Sequence, residues 1–312
     1  MPLYSIQHIT RYHYYYPVSV SHHAVYLEPM DLPYQKKQRS RLTTTPLFQD
    51  YRQRTDFFGN TLGLFSIQEE HQSLTITAES VVDVFRHVPD IDALPITCGE
   101  AVDYFQSSRS APLEAIQYLF GSSRIPQDPN DALRNYARAI FAPAKPLLQA
   151  CLDLMQDIQH NFVFDAQATT VDTAVETFFE LRRGVCQDFA HFVITVMTAM
   201  GIPAKYVSGY ILTMPPPGKP RLEGADASHA WVSIYVPEHG WIDLDPTNNL
   251  FCADQHITVA CGRDFDDVSL VRGAVTGGGA HDLAVAVTVK PVADSATSQH
   301  DNRSSIDDGR TL

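Results

Sequence analysis

The sequence has little positive charge and no apolar run long enough to span a membrane. Lysine and arginine number 23 against 36 aspartates and glutamates, so the 312-residue chain has a formal net charge of −13. Without an overall positive field to attract phosphates, we do not expect nucleic acid or an anionic membrane as a partner. The longest apolar stretch, 189–202, is interrupted by His191 and falls short of the roughly 18 residues of a membrane helix.

Cysteine is also scarce, and no two cysteines form a CxxC pair. The chain contains Cys98, Cys151, Cys186, Cys252 and Cys261. Their odd number and scattered spacing argue against a zinc site or a disulfide framework, so we expect free thiols. The opening residues MPLYSIQHIT lack the basic and apolar stretches of a secretory signal. These features predict a cytoplasmic protein.

Hydrophobic periodicity predicts an α+β fold with two regions. In residues 1–95, bulky residues recur at every second position, which is typical of half-buried strands and predicts an antiparallel β domain. Residues 96–293 mix helical and strand-like patterns and should form helices packed on an antiparallel sheet. Residues 294–312 contain no aromatic residue, and we expect a disordered tail there.

Three helices are expected before the most informative segment of the chain. The first follows Asn130, a candidate N-cap, and the second follows Pro146. The third should begin after Asp172, another candidate N-cap, and continue to Leu181.

Cys186 is the one cysteine whose position suggests chemistry. It precedes an apolar series with helical spacing that ends at Gly201, so it should lie at a helix N-terminus. The free N–H groups and the positive end of the helix dipole favour a thiolate there, and the same N–H groups could hold a developing oxyanion. A buried packing cysteine explains the position equally well, so its partners must decide between the two interpretations.

Two strand-like runs downstream supply candidate partners. Alternation places His229 on the less apolar face of the run 229–236, and Asp245 on the polar face of the run 241–247. Cross-strand partners share a face, so His229 and Asp245 can meet only if the paired residue numbers of the two strands have an even sum. Pairing residue 235 with 241 makes His229 and Asp245 diagonal neighbours, pairing 234 with 240 makes them directly opposite, and pairing 236 with 241 separates them. We predict an even sum.

Together these residues would form a nucleophile, a base and an orienting group. His229 would take the thiol proton of Cys186, and Asp245 would accept a hydrogen bond from the other ring nitrogen. Each residue alone has a simpler explanation, since a histidine at a strand edge is often surface and an aspartate before proline often starts a turn. The combination favours catalysis.

At these residues the sequence resembles the bacterial transglutaminase-like family, within the superfamily of transglutaminase-like and papain-type cysteine enzymes. The resembling segments are RRGVCQDFAHFVITVMTAMGIPAKYVSGYI, SHAWVSIYVPEHGW and IDLDPTNN, with an N-terminal β region like YSIQHITRYHYYYPVSVSHHAVYLEP and a late segment HITVACGRDFDDVSLVRG. The resemblance implies a papain-like transglutaminase core and assigns the family's catalytic triad to Cys186, His229 and Asp245. It also implies acyl transfer through a thioester, with no cofactor and no calcium.

Several functions remain consistent with that triad. We expect a cysteine protease or amidase that hydrolyses amide bonds in a peptide or protein substrate. A transglutaminase that passes the acyl group to an amine is the first alternative, and a non-catalytic interaction module is the second. A metal site formed by the same three residues is disfavoured because zinc ligands usually come in closer sequence pairs.

Neighbouring polar residues are given lesser roles. Asp188, in the first turn of the predicted helix, could either cap the helix or take part in catalysis. His191 is expected to pack rather than react, because it lies about 140° around the helix from Cys186. The acidic segment 262–267 is assigned no site.

Overall fold

A long antiparallel sheet forms from the N-terminal part of the chain, where the two-residue alternation is strongest. The computed structural model describes residues 2–107, 111–213 and 228–292; the predicted tail, 294–312, lies outside the described residues. The alternating side chains Tyr4, Ile6 and His8 are all buried, as the period predicts. The strands are β1 (Leu3–Val25), β2 (Gln35–Thr45), β3 (Asp50–Thr55), β4 (Thr61–Ile67) and β5 (His71–Val84), in the order β2-β5-β1-β4-β3.

The end of the described chain returns to this same sheet. Strands β13 (Val271–Gly277) and β14 (His281–Pro291) both pair antiparallel with β1. The register places Tyr4 opposite Pro291, so the first and last described strands lie side by side. The predicted division of the chain at residue 95 stays a prediction.

Helices occupy the middle of the chain. They are α1 (Cys98–Ser107), α2 (Leu113–Ile116), α3 (Asp131–Ile140), α4 (Leu147–Asn161), α5 (Val175–Leu181), α6 (Cys186–Ala199) and α7 (Phe265–Val268), with a 3₁₀ turn at Gln117–Leu119. The start of α3 is as predicted, because the Asn130 side chain accepts a hydrogen bond from the Leu133 N–H at 3.0 Å.

The predicted start of α5 is wrong by two residues. The helix begins at Val175, with Ala174 at the N-cap, rather than directly after Asp172. Asp172 instead forms an ion pair with Arg124, in which its Oδ1 atom lies 3.1 Å from the Arg124 Nη2 atom. The Thr173 hydroxyl accepts a hydrogen bond from the Thr170 N–H at 2.9 Å, which stabilises a turn ahead of the helix.

A second sheet carries two of the predicted site residues. It has the order β11-β10-β9-β8-β12 and consists of β8 (Ala204–Ile211), β9 (Ser228–Val236), β10 (Gly240–Asp245), β11 (Leu250–Phe251) and β12 (His256–Gly262). Helix α6 packs across β8 and β9. The short strands β6 (Val163–Phe164) and β7 (Arg183–Gly184) pair in parallel immediately before α6. This packing brings the start of α6 to the sheet.

The register between β9 and β10 confirms the predicted even sum. Tyr235 pairs with Trp241, and the same register continues to Val232 opposite Leu244. Extended by one position, it makes His229 and Asp245 diagonal neighbours on one face. Among the residues that the structure describes, no helix has both the length and the apolarity needed to cross a bilayer.

Replacing Asn130 should weaken the helical layer. Asn130→Ala removes the acceptor for the Leu133 N–H at the start of α3, so the free energy of unfolding should fall by about 1 kcal/mol. Urea denaturation would measure the loss. Asn130→Ser keeps a capping oxygen and is the control, with an expected change within roughly 0.5 kcal/mol. An alanine variant as stable as the unmodified protein would contradict the capping role.

Candidate active site

Cys186 is the first residue of α6, and its side chain is partly exposed. Residues at this position have no intrahelical acceptor for their N–H groups, which are therefore free to bind an anion. The Asp188 carboxylate accepts hydrogen bonds from the Val185 N–H at 2.8 Å and the Thr169 hydroxyl at 2.7 Å. Of its two predicted roles, the structure shows helix capping.

The approach of the chain to Cys186 depends on a glycine. A Cβ atom at Gly184 would lie 2.5 Å from the Asp188 Oδ2 atom and 2.9 Å from the Phe178 ring. Only a residue without a side chain fits between that ring and the capping carboxylate. Steric exclusion therefore explains why glycine stands two residues before Cys186.

The structure brings Cys186, His229 and Asp245 together. The His229 Nε2 atom lies 2.7 Å from the Asp245 Oδ2 atom, and Cys186 is close enough to the same imidazole to contribute to the shift of its pKa. Since Nε2 is engaged by the carboxylate, Nδ1 is the nitrogen left for the sulfur. His229 is 9% exposed and Asp245 is fully buried, so water screens their interaction poorly.

This arrangement favours the charged forms of the imidazole and the carboxylate. Burial alone would lower the pKa of His229, but its hydrogen bond to Asp245 and its interaction with Cys186 outweigh burial and raise that pKa to about 10. Burial would likewise raise the pKa of Asp245, but hydrogen bonds from His229 and His256 hold it well below its ordinary value. An imidazolium between a carboxylate and a thiol is therefore stable at neutral pH.

Further donors surround the Asp245 carboxylate. Asn248 donates from Nδ2 to Oδ2 at 2.7 Å, and the His256 Nε2 atom lies 3.1 Å from the same oxygen. The backbone N–H groups of Thr247 and Asn248 donate to Oδ1 at 3.1 and 3.2 Å. Neither Asn248 nor His256 was predicted from the sequence. Asn248 could have been found from the sequence, because it follows Asp245 by three residues, a spacing typical of a turn. No sequence pattern near His256 indicates its contact with Asp245.

A second buried carboxylate lies on the same face of β10. Asp243 forms an ion pair with Arg86 at 2.9 Å and accepts a hydrogen bond from the Trp231 indole N–H at 3.0 Å. Arg86 also donates to the Thr258 hydroxyl at 3.0 Å and stacks 4.0 Å above the Tyr34 ring. Burial would raise the pKa of Asp243, but these partners hold it below its ordinary value. Sequence reasoning missed Arg86 because it lies far from β10 in the chain.

The ligand-type atoms of His229, Asp245 and His256 all lie within 4.8 Å of one another. Both imidazole Nε2 atoms, however, already point at the same carboxylate oxygen, at 2.7 and 3.1 Å. Two N–H donors account for this geometry without an ion, so we assign the cluster to hydrogen bonding.

His191 packs as predicted. It is 2% exposed, its ring lies 5.2 Å from that of Tyr206, and its Nε2 atom accepts the Phe265 N–H at 3.1 Å. The acidic segment 262–267 is structural in the same way. Asp264 accepts hydrogen bonds from Ser123 and from the Arg124 N–H, and Asp266 is paired with Arg124. These contacts join two loops and leave no free acidic cluster.

Comparison with known proteins identifies two family segments. The model described as the bacterial transglutaminase-like N-terminal region matches residues 4–83, and the model of the transglutaminase-like superfamily matches residues 134–246. The second range contains Cys186, His229 and Asp245, whereas Arg86 and His256 lie outside both ranges.

Relatives and a solved structure extend the similarity over most of the chain. An uncharacterized protein of Mycobacterium tuberculosis is 37% identical over 277 residues, which are 87% of each chain. A protein-glutamine gamma-glutamyltransferase of Pseudomonas aeruginosa is 32% identical over 117 residues, 37% of this chain and 18% of that protein. A structure from Cytophaga hutchinsonii, described provisionally as a cysteine protease, has a TM-score of 0.75 at 21% identity and covers 94% of this chain and 91% of its own. That likeness confirms the predicted α+β fold.

The charged state of His229 should make stability depend on pH. Its folded pKa of about 10 exceeds the unfolded value of about 6.5, so its contribution is complete below pH ~6.5 and is lost as pH rises through about 10. The difference in unfolding free energy between the unmodified protein and His229→Gln should therefore shrink between these pH values. Urea denaturation at pH 6, 8 and 10 would measure it.

His23 provides a control of opposite sign. Burial, together with the nearby His71 and His22, lowers its pKa to about 4. The folded state therefore binds fewer protons than the unfolded state between pH ~4 and ~6.5, and stability gained through His23 rises over that range and is constant above it. A His229→Gln difference that does not fall at alkaline pH would contradict the assigned charge.

Proposed function

Because the chain belongs to the bacterial transglutaminase-like family, we propose that it is a cysteine enzyme that cleaves peptide or isopeptide amide bonds through a thioester. The observation that carries the proposal is the hydrogen bond of His229 to the buried Asp245, with Cys186 beside the same imidazole and at a helix N-terminus. The substrate is a peptide or protein, and no cofactor takes part.

Acylation starts from the ion pair in which Cys186 has given its proton to His229. The thiolate attacks the amide carbonyl carbon and forms a tetrahedral intermediate whose oxygen carries the negative charge. The Cys186 N–H, in the first turn of α6, would donate a hydrogen bond to that oxygen. The C–N bond then breaks, the imidazolium gives its proton to the leaving amine, and an acyl thioester remains on the sulfur.

In deacylation, water is the nucleophile and the Cys186 sulfur is the leaving group. His229 takes a proton from water while the water oxygen attacks the thioester carbonyl carbon. Collapse of this second intermediate breaks the C–S bond, releases a carboxylic acid and returns the thiolate beside the imidazolium. Asp245 stays ionised throughout, holds the imidazole in one orientation and stabilises its positive charge.

Amine transfer is the alternative for the second half-reaction. The similarity of residues in this core to the Pseudomonas glutamyltransferase favours it, since a lysine amine could replace water as the attacking group. We propose water as the acceptor, because the triad requires no second binding site to use it.

Iodoacetamide should label Cys186 selectively near neutral pH. The other cysteines are all buried, and burial raises the pKa of Cys98 to about 11 and the pKa of Cys151 further. Cys186→Ala should abolish amide cleavage, a loss of at least about 10³-fold, measured on a library of peptide and isopeptide substrates. Activity retained in Cys186→Ala, with no selective labelling, would refute the proposal.

The acceptor can be decided by competition. With an acyl donor peptide present, free carboxylic acid should form faster than an amide with added primary amine, and mass spectrometry distinguishes the two products. Cys186→Ala provides the background for both reactions. Amine incorporation that outpaces hydrolysis would select the transferase alternative, while loss of both products in Cys186→Ala would still support the thioester.

A further inference from the structure

A second histidine contacts the carboxylate of the triad at the same oxygen as His229. His256 is the first residue of β12, is 2% exposed, and places its Nε2 atom 3.1 Å from the Asp245 Oδ2 atom. The two imidazole rings, His229 and His256, lie with their centroids 6.3 Å apart. One carboxylate oxygen therefore lies between two imidazoles.

The His256 ring is fixed by its surroundings. Its edge packs against the Trp231 ring at a centroid distance of 5.3 Å, and Trp231 is in turn held by its hydrogen bond to Asp243. The backbone N–H of His256 donates to the Ala253 carbonyl at 3.1 Å. The ring has little freedom to turn away from Asp245.

The contacts of His256 also fix its tautomer. Within the described part of the chain, the buried Nδ1 atom has no hydrogen-bond partner. A proton on Nδ1 would be a buried donor without an acceptor, whereas a proton on Nε2 points at a carboxylate oxygen. His256 therefore donates to Asp245 from Nε2.

We propose that His256 is a positioning residue that holds the Asp245 carboxylate in the orientation required by His229. The inference rests on the proposed function and adds a residue to it. With Asn248 and His256 both donating to Oδ2, the carboxylate cannot rotate without losing several hydrogen bonds. The orientation of His229, and through it the proton transfer from Cys186, would follow from this constraint.

Other charged and titratable groups near Asp245 come from several elements. His229 faces it from β9 and Cys186 lies beyond that imidazole on α6, while Cys252 interacts with it from the segment after β11. Asp243 lies two residues away on β10, where Arg86 offsets its charge. Among these groups, His256 and His229 donate directly to the carboxylate.

The test compares three replacements of His256. His256→Phe keeps a ring of similar size but has no donor, His256→Gln places an amide N–H near the former Nε2 position, and His256→Asn is too short to reach it. The readout is the rate of alkylation of Cys186 by iodoacetamide as a function of pH, which requires no substrate. His23→Phe is the matched control, since His23 is a buried histidine stacked on Phe65 in the other sheet.

His256→Phe and His256→Asn should slow the alkylation of Cys186 at pH 7 by about 10-fold or more. The decline of the alkylation rate at acid pH, its acid limb, should also move to higher pH, because a displaced carboxylate stabilises the His229 imidazolium, and with it the Cys186 thiolate, less well. His256→Gln should stay within about threefold of the unmodified protein, and His23→Phe should change neither the rate nor the limb.

Unchanged rates and acid limbs in both His256→Phe and His256→Asn would overturn the inference. Should His256→Phe fail to fold, as judged by its thermal unfolding, His256→Asn against His256→Gln provides the same comparison. A lowered melting temperature with an unmoved acid limb would show a purely structural role and would also overturn it. Absence of amide cleavage in the unmodified protein, with the predicted alkylation pattern, would refute the proposed function alone.

Discussion

The buried carboxylate of Asp245 is the interaction on which the site depends. A charge removed from water is unstable unless donors surround it, and this one accepts hydrogen bonds from two imidazoles, one amide side chain and two backbone N–H groups. These donors come from β9, β12 and the turn after β10. Their need for one common acceptor fixes the relative positions of three chain segments around His229.

The sulfur reaches this network through a different constraint. Helix α6 begins directly after β7. Gly184 and Asp188 fix its first residue, because Gly184 leaves room for the Asp188 carboxylate and Asp188 caps the helix at Val185. The apolar length of α6 is buried against β8 and β9, so the helix cannot slide along its axis without exposing that surface. The catalytic geometry therefore results from a capped helix end meeting a strand face.

Local patterns predicted most of the site, because local rules govern the residues concerned. The helix before Gly201 and the alternation in β9 and β10 follow from side-chain periodicity, and register parity restricted how His229 and Asp245 could meet. The sequence could not place His256 or Arg86, because contacts across 11 and 157 residues depend on how strands pack rather than on any repeating pattern. The start of α5 was mispredicted for a similar reason. Asp172 pairs with Arg124, which is remote in sequence, and the helix begins after Ala174 instead.

The pairing of β1 with β14 has a consequence for how the protein is made. Residues 4 and 291 are neighbours across a strand pair, so β1 keeps an open edge until almost all of the described chain has been synthesised. Contacts of such large sequence separation carry a high loop-closure entropy and slow the search for the native state. During translation the first sheet would stay incomplete until its last strands had left the ribosome. Chaperones that shield exposed strand edges would matter most in that interval.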